Sequence, residues 1–158
     1  MSIKKKTVIK KTVKNYFEIK LPSRSVNEGF ARAAVAAFAA QLDPSVEIIS
    51  ELKTAVSEAV TNAVVHAYPD GIGIIHIKCR IYDDNSIAVA VRDMGVGISD
   101  IKKAREPLFT SGSEDRAGMG FTVREALSDK ITVRSRPGRG TTVTIFKKLD
   151  SRDNGQKH

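Results

Sequence analysis

Two stretches of alternating apolar and polar residues, 73–82 and 86–93, are separated only by Asp83-Asp84-Asn85. The same arrangement recurs at 130–136 and 141–148 around Pro137-Gly138-Arg139-Gly140. Connections this short turn a strand back on itself, so each pair reads as a hairpin. A third alternating run, 16–21, sets Phe17, Ile19 and Leu21 on one face and Tyr16, Glu18 and Lys20 on the other, until Pro22 stops it.

A sheet built this way needs one apolar face covered. Ser25-Val26-Asn27-Glu28 has the form of a capping box, and an alanine-rich helix follows to about Gln41. Phe30, Ala34, Ala37 and Phe38 lie near helical spacing along it. Asp43-Pro44-Ser45 breaks that helix and starts a longer one reaching about His66. This second helix bears the stripe Ile48, Leu52, Val56, Ala59 and Ala63. Tyr68-Pro69-Asp70-Gly71 terminates it. An irregular stretch covers about 95–117, and a further helix is expected from about Gly120 to Leu127. The order of elements predicts an α/β two-layer sandwich, with helices on one face of a mixed, mostly antiparallel sheet.

At 158 residues the chain suits a single domain. Its one cysteine, Cys79, excludes an internal disulfide framework and a multi-cysteine zinc site. No apolar run approaches the ~20 residues of a membrane span. The basic start, MSIKKKTVIKKTVK, lacks the apolar stretch of a secretory signal, so a cytoplasmic location and no membrane partner are expected. The net charge of +8 is concentrated at the ends. Residues 1–20 carry seven lysines against Glu18, and Lys147, Lys148, Arg152 and Lys157 face Asp150 and Asp153 near the other end, while 21–146 balances. Residues 1–14 are read as a mobile basic extension, 15–149 as the domain and 150–158 as a tail. Tails of this kind are ordinarily solvated, and no direct nucleic-acid contact is expected.

Three groups of residues carry possible chemistry. Glu58 and Asn62 are four apart on the second helix, one turn above another, and so share a face. A carboxylate and an amide stacked there suit a proton acceptor and a metal ligand, or simply two solvent-facing polar groups. Asp93 shares the parity of Ile87, Val89 and Val91, so the alternation that buries those residues turns its carboxylate inward. A buried carboxylate is costly without a donor, which the amino group of a nucleobase can supply. Gly95 and Gly97 after it let a backbone pass close to a flat ligand, although an Asp-x-Gly turn also simply ends a strand. Gly118-Met119-Gly120 opens a helix, where free N–H groups attract phosphate, and Arg116 precedes it. His66 and His76 have no metal-ligand spacing with Cys79. No GxxxxGK[ST] loop, complete GxGxxG or His-Arg-Asp loop is present.

These boxes occur in a telling order. Glu58-Ala59-Val60-Thr61-Asn62-Ala63, Asp93-Met94-Gly95-Val96-Gly97, Gly118-Met119-Gly120 and Gly140-Thr141-Thr142 together resemble the ATP site of the GHKL superfamily, whose members share the Bergerat fold. Phe30-Ala31-Arg32, Gln41-Leu42-Asp43-Pro44 and Arg105-Glu106-Pro107-Leu108-Phe109-Thr110 narrow the resemblance to its anti-sigma-factor serine kinases, closest to the sporulation branch. It covers about residues 16–149.

The resemblance implies an ATP- and Mg²⁺-dependent homodimer that holds a sigma factor of the F type inactive. It also implies phosphorylation of an anti-anti-sigma factor on serine. Glu58 would be the general base and Asn62 the Mg²⁺ ligand. Asp93 would accept from adenine, with Gly95 and Gly97 at the base and Thr142 supporting that end of the pocket. Thr110, Arg116, Gly118, Met119 and Gly120 would serve the triphosphate, and Arg32 both protein partners. A general-stress relative with another sigma target, or a sigma-holding module that transfers no phosphate, are the alternatives.

Overall fold

The computed structural model describes residues 11–97 and 130–149. Both expected hairpins are present. Strand β2 (Ile74–Tyr82) turns into β3 (Ser86–Asp93), and β4 (Lys130–Arg136) turns into β5 (Gly140–Lys148). Asn85 takes a left-handed φ of 63° in the first turn, a conformation that asparagine tolerates and tight reversals use. Strand β1 (Val13–Pro22) lies along β2, beginning three residues before the run at 16–21, with an irregularity between Val13 and Asn15.

The sheet order is β1-β2-β3-β5-β4, and all four pairings are antiparallel. Among the described strands the sheet is antiparallel throughout, and the expected two-layer arrangement with helices on one face holds. The second hairpin joins the sheet through β5, its returning strand, which lies beside β3.

Side-chain alternation gives the sheet one apolar face. Ile75, Ile77, Cys79 and Ile81 on β2, Ile87, Val89 and Val91 on β3, and Val143 and Ile145 on β5 are all buried. Two helices contribute to the same core, α1 (Asn27–Ala39), continued by a short 3-10 turn at Ala40–Leu42, and α2 (Val46–His66). Helix α2 starts where the sequence signals it, with the Ser45 hydroxyl oxygen accepting from Ile48 N–H at 3.2 Å. Its expected stripe of Ile48, Leu52, Val56, Ala59 and Ala63 is buried, joined by Ala55 and Val60. Each large aliphatic residue among them contributes roughly 1.5–3 kcal/mol by leaving water. Two charged groups among the described residues are buried on this face, Asp93 at the end of β3 and Lys147 on β5, the latter ion-paired to Glu51 of α2.

Helix α1 departs from expectation in two ways. Its capping box does not form. Val26 occupies the N-cap without a side-chain bond, and Glu28 instead reaches Arg32 and Ser57. The buried stripe is Ala31, Val35 and Ala39, while Phe30 is 56 % exposed and Phe38 only partly buried, its ring edge-on to Phe17 at 4.8 Å. In so alanine-rich a helix nearly every face is small, so local spacing does not choose the face that meets the sheet. No helix among the described residues is long and apolar enough to cross a membrane. Cys79 lies in the core, and burial pushes its thiol up to about 12, as befits a packing residue and not a reactive one.

Candidate functional site

Asp93 ends β3 on the helix-covered face, as its parity requires, and is 6 % exposed. Its Oδ1 accepts from Gly95 N–H at 3.0 Å and from Thr141 N–H at 3.2 Å. No donor among the described residues reaches its other oxygen, Oδ2. Burial raises the Asp93 pKa from its ordinary value, and the two backbone amides counter only part of that rise. A buried carboxylate with an unused acceptor is incomplete until a ligand donor arrives.

The segment after Asp93 is wedged between α2 and the turn of the second hairpin. A Cβ at Gly95 would fall 1.9 Å from Ala67 O, the carbonyl at the C-cap of α2. Gly97 has φ +75°, and a Cβ there would lie 2.2 Å from Arg136 O. Val96 N–H donates to Ala67 O at 2.9 Å, and Gly138 N–H to Val96 O at 2.7 Å. The loop is therefore pinned on both flanks. Tyr68 adds a third fastening: its hydroxyl accepts from Met94 N–H at 2.8 Å and donates to Ile74 O at 2.7 Å.

Because the end of α2 is tied to this loop, the helix carries Glu58 and Asn62 toward it. At 1.5 Å per residue, Asn62 stands about 7.5 Å and Glu58 about 13.5 Å back along the axis from Ala67. Both are half-buried at the flank of the stripe facing the sheet. Just before Glu58, Ser57 joins α2 to α1. Arg32 Nη1 donates to Glu28 Oε2 at 2.6 Å and to Ser57 Oγ at 3.2 Å, and Ser57 Oγ donates to Glu28 Oε2 at 2.9 Å. Arg32 is consequently held against Ser57, the residue before Glu58.

Thr142 lies next to the strand position paired with Asp93. In the register it pairs with Arg92, whereas Thr141 pairs with Asp93. Period-two alternation from buried Val143 and Ile145 puts Thr141 on the Asp93 face and Thr142 on the opposite one. Thr141 is the residue that serves Asp93, through its amide, while its hydroxyl shares a hydrogen bond of 2.8 Å with Ser135 Oγ. Counting the strand's parity from Val143 identifies it. Tyr68, read from the sequence only as part of a helix stop, has no comparable local signal. Thr110, Arg116, Gly118, Met119 and Gly120, like the helix expected from Gly120 and most of the 95–117 stretch, lie outside the described residues.

The residues present fit an adenine nucleotide with its cation. Asp93 Oδ2 offers an acceptor that an exocyclic amine can fill. Among the described residues no three His, Cys, Asp or Glu side chains are grouped to hold a metal ion.

Residues 21–147 match the histidine kinase-like ATPase domain. The chain is 55 % identical over 134 residues to the anti-sigma F factor of Caldanaerobacter subterraneus subsp. tengcongensis, covering 84 % of this chain and 93 % of that protein. It is 49 % identical over 143 residues to the anti-sigma F factor of Pasteuria penetrans, covering 89 % and 95 %. Its fold resembles the crystal structure of the RsbU and RsbW domains of Rv1364c from Mycobacterium tuberculosis, with TM-score 0.63 and 21 % identity over 85 % of this chain. The likeness spans 32 % of that longer chain.

Proposed function

Since the chain belongs to the histidine kinase-like ATPase domain family and, within it, to the anti-sigma F factors, we propose that it is an ATP-dependent protein-serine kinase that also sequesters a sigma factor. Family membership supports the coarser statement, an ATP-binding anti-sigma factor. The finer one adds that the protein acts as a homodimer and phosphorylates an anti-anti-sigma factor on serine.

The observation that carries the reading is Asp93: a buried carboxylate, fixed by two backbone amides, whose second oxygen meets no donor among the described residues. In the proposed mechanism that oxygen accepts from the adenine amino group, and the base lies against the Gly95–Gly97 backbone. Asn62 holds Mg²⁺. The bound Mg²⁺-ATP supplies the transferable phosphoryl group and the charge that makes its transfer feasible, so the protein needs chiefly to position and to accept one proton. Glu58 takes that proton from the partner's serine hydroxyl. Thr110, Arg116, Gly118, Met119 and Gly120 are the candidates for triphosphate contacts, on the strength of the sequence resemblance. Arg32, presented by Glu28 and Ser57, is the candidate contact for the protein partners.

The test is phosphate transfer from labelled ATP to the anti-anti-sigma protein, with Glu58→Ala beside the unaltered chain. Removing a positioned base costs roughly 10²–10⁴-fold in rate. Phosphoserine lost in Glu58→Ala, with ATP and sigma-factor binding retained, is the expected result. No phosphoserine from the unaltered chain would favour a sigma-holding module that transfers nothing.

A further inference from the structure

We propose that Tyr68 is a positioning residue that aims Asp93 at the nucleobase and so sets the preference for adenine. The proposal rests on the reading of Asp93 as the adenine acceptor. Three successive N–H groups follow Asp93, and each has a different anchor. Met94 N–H goes to Tyr68 Oη, Gly95 N–H to the Asp93 carboxylate and Val96 N–H to Ala67 O. Only the first anchor is a side chain from elsewhere in the fold.

Tyr68 is itself well fixed. Its hydroxyl donates to Ile74 O, and its ring packs against Gly73, where an added Cβ would come within 2.2 Å of ring carbons. The hydroxyl thereby ties the start of β2 to the peptide that joins Asp93 to Met94. Rotation of that peptide changes the Asp93 backbone and moves Gly95 N–H, the group that holds Oδ1. The direction of Oδ2 follows from both. Hydrogen bonds weaken steeply off axis, so a small change in that direction is felt by the base and little by the rest of a nucleotide.

The experiment compares the affinity of the full-length protein for ATP and for purine riboside 5′-triphosphate, which has hydrogen in place of the amino group. The unaltered chain should prefer ATP by about tenfold or more, the scale of a hydrogen bond to a charged acceptor. Tyr68→Phe should weaken ATP, leave the analogue unchanged and cut the preference at least roughly threefold. A tyrosine of merely structural importance weakens both nucleotides in parallel, and that outcome overturns the proposal. Asp93→Asn separates the two claims. If it leaves the preference intact, the adenine reading fails and the role of Tyr68 with it. If it abolishes the preference while Tyr68→Phe does not reduce it, only the role of Tyr68 fails. Should Tyr68→Phe not fold, amide hydrogen exchange in the unaltered protein decides. Met94 is an exposed residue, so slow exchange of its N–H supports the Tyr68 anchor, and exchange at the rate of a free amide refutes it.

Discussion

Replacing Asp93 by asparagine isolates the site's central bond, because the change is isosteric and the fold has little reason to notice it. Oδ1 accepts from Gly95 and Thr141 N–H, and an asparagine carbonyl can take over both. Its amide then occupies the place of Oδ2, presenting a donor where the adenine amino group needs an acceptor. An unmet buried polar group of this kind costs about 1–3 kcal/mol, so ATP affinity should fall roughly 5- to 150-fold.

The carboxyl's raised pKa adds a second readout from the same variant. ATP needs the carboxylate, so lowering the pH through the raised pKa should weaken binding and make binding release a proton. Asparagine should erase that arm of the profile. The apo protein obeys the opposite sign. A group whose folded pKa is raised stabilises most below its unfolded value, near 3.8, and loses that contribution as pH rises through the folded pKa. The variant should therefore melt no lower than the unaltered chain at neutral pH. Isothermal titration calorimetry across pH, with thermal melts of the free protein, measures both. Unchanged ATP affinity in a folded variant would reduce Asp93 to a strand-ending turn residue and refute the argument.

Leu52→Ala, at a fully buried site on α2, should cost about 2–5 kcal/mol in a urea titration, through lost transfer energy and the cavity left behind. Gly95→Ala should lower both melting temperature and ATP affinity, since its Cβ meets Ala67 O at 1.9 Å and forces the loop off α2. Gly71→Ala, where a Cβ meets nothing within 4 Å, is the matched control and should change neither.

Much of the fold is legible in the sequence because its signals are local. The two hairpins, the capped start of α2 and its stripe depend on neighbours a few residues away, and the structure has them where the pattern puts them. The inward parity of Asp93 is legible for the same reason. What fails is settled by distant contacts. Glu28 abandons its expected cap because Ser57, 29 residues on, and Arg32 offer it charged and hydroxyl partners. The placement of β5 beside β3 depends on long-range pairing that no window of sequence contains. Tyr68 belongs here too, since its partners come together only when β2 and β3 pair. Thr141 is a different case: the alternation in β5 already puts it on the Asp93 face.

The ion pair between Lys147 and Glu51 has a mechanical consequence. Aliphatic side chains grip without direction, and a helix seated on them alone can roll or slip by a fraction of a turn at small cost. A charge pair sunk into the same seam contributes little net stability, yet any rolled position would strand an ammonium group away from water and counter-ion. It works like a key in a shaft: Glu58, seven residues along from Glu51, inherits an angular setting that grease could not enforce.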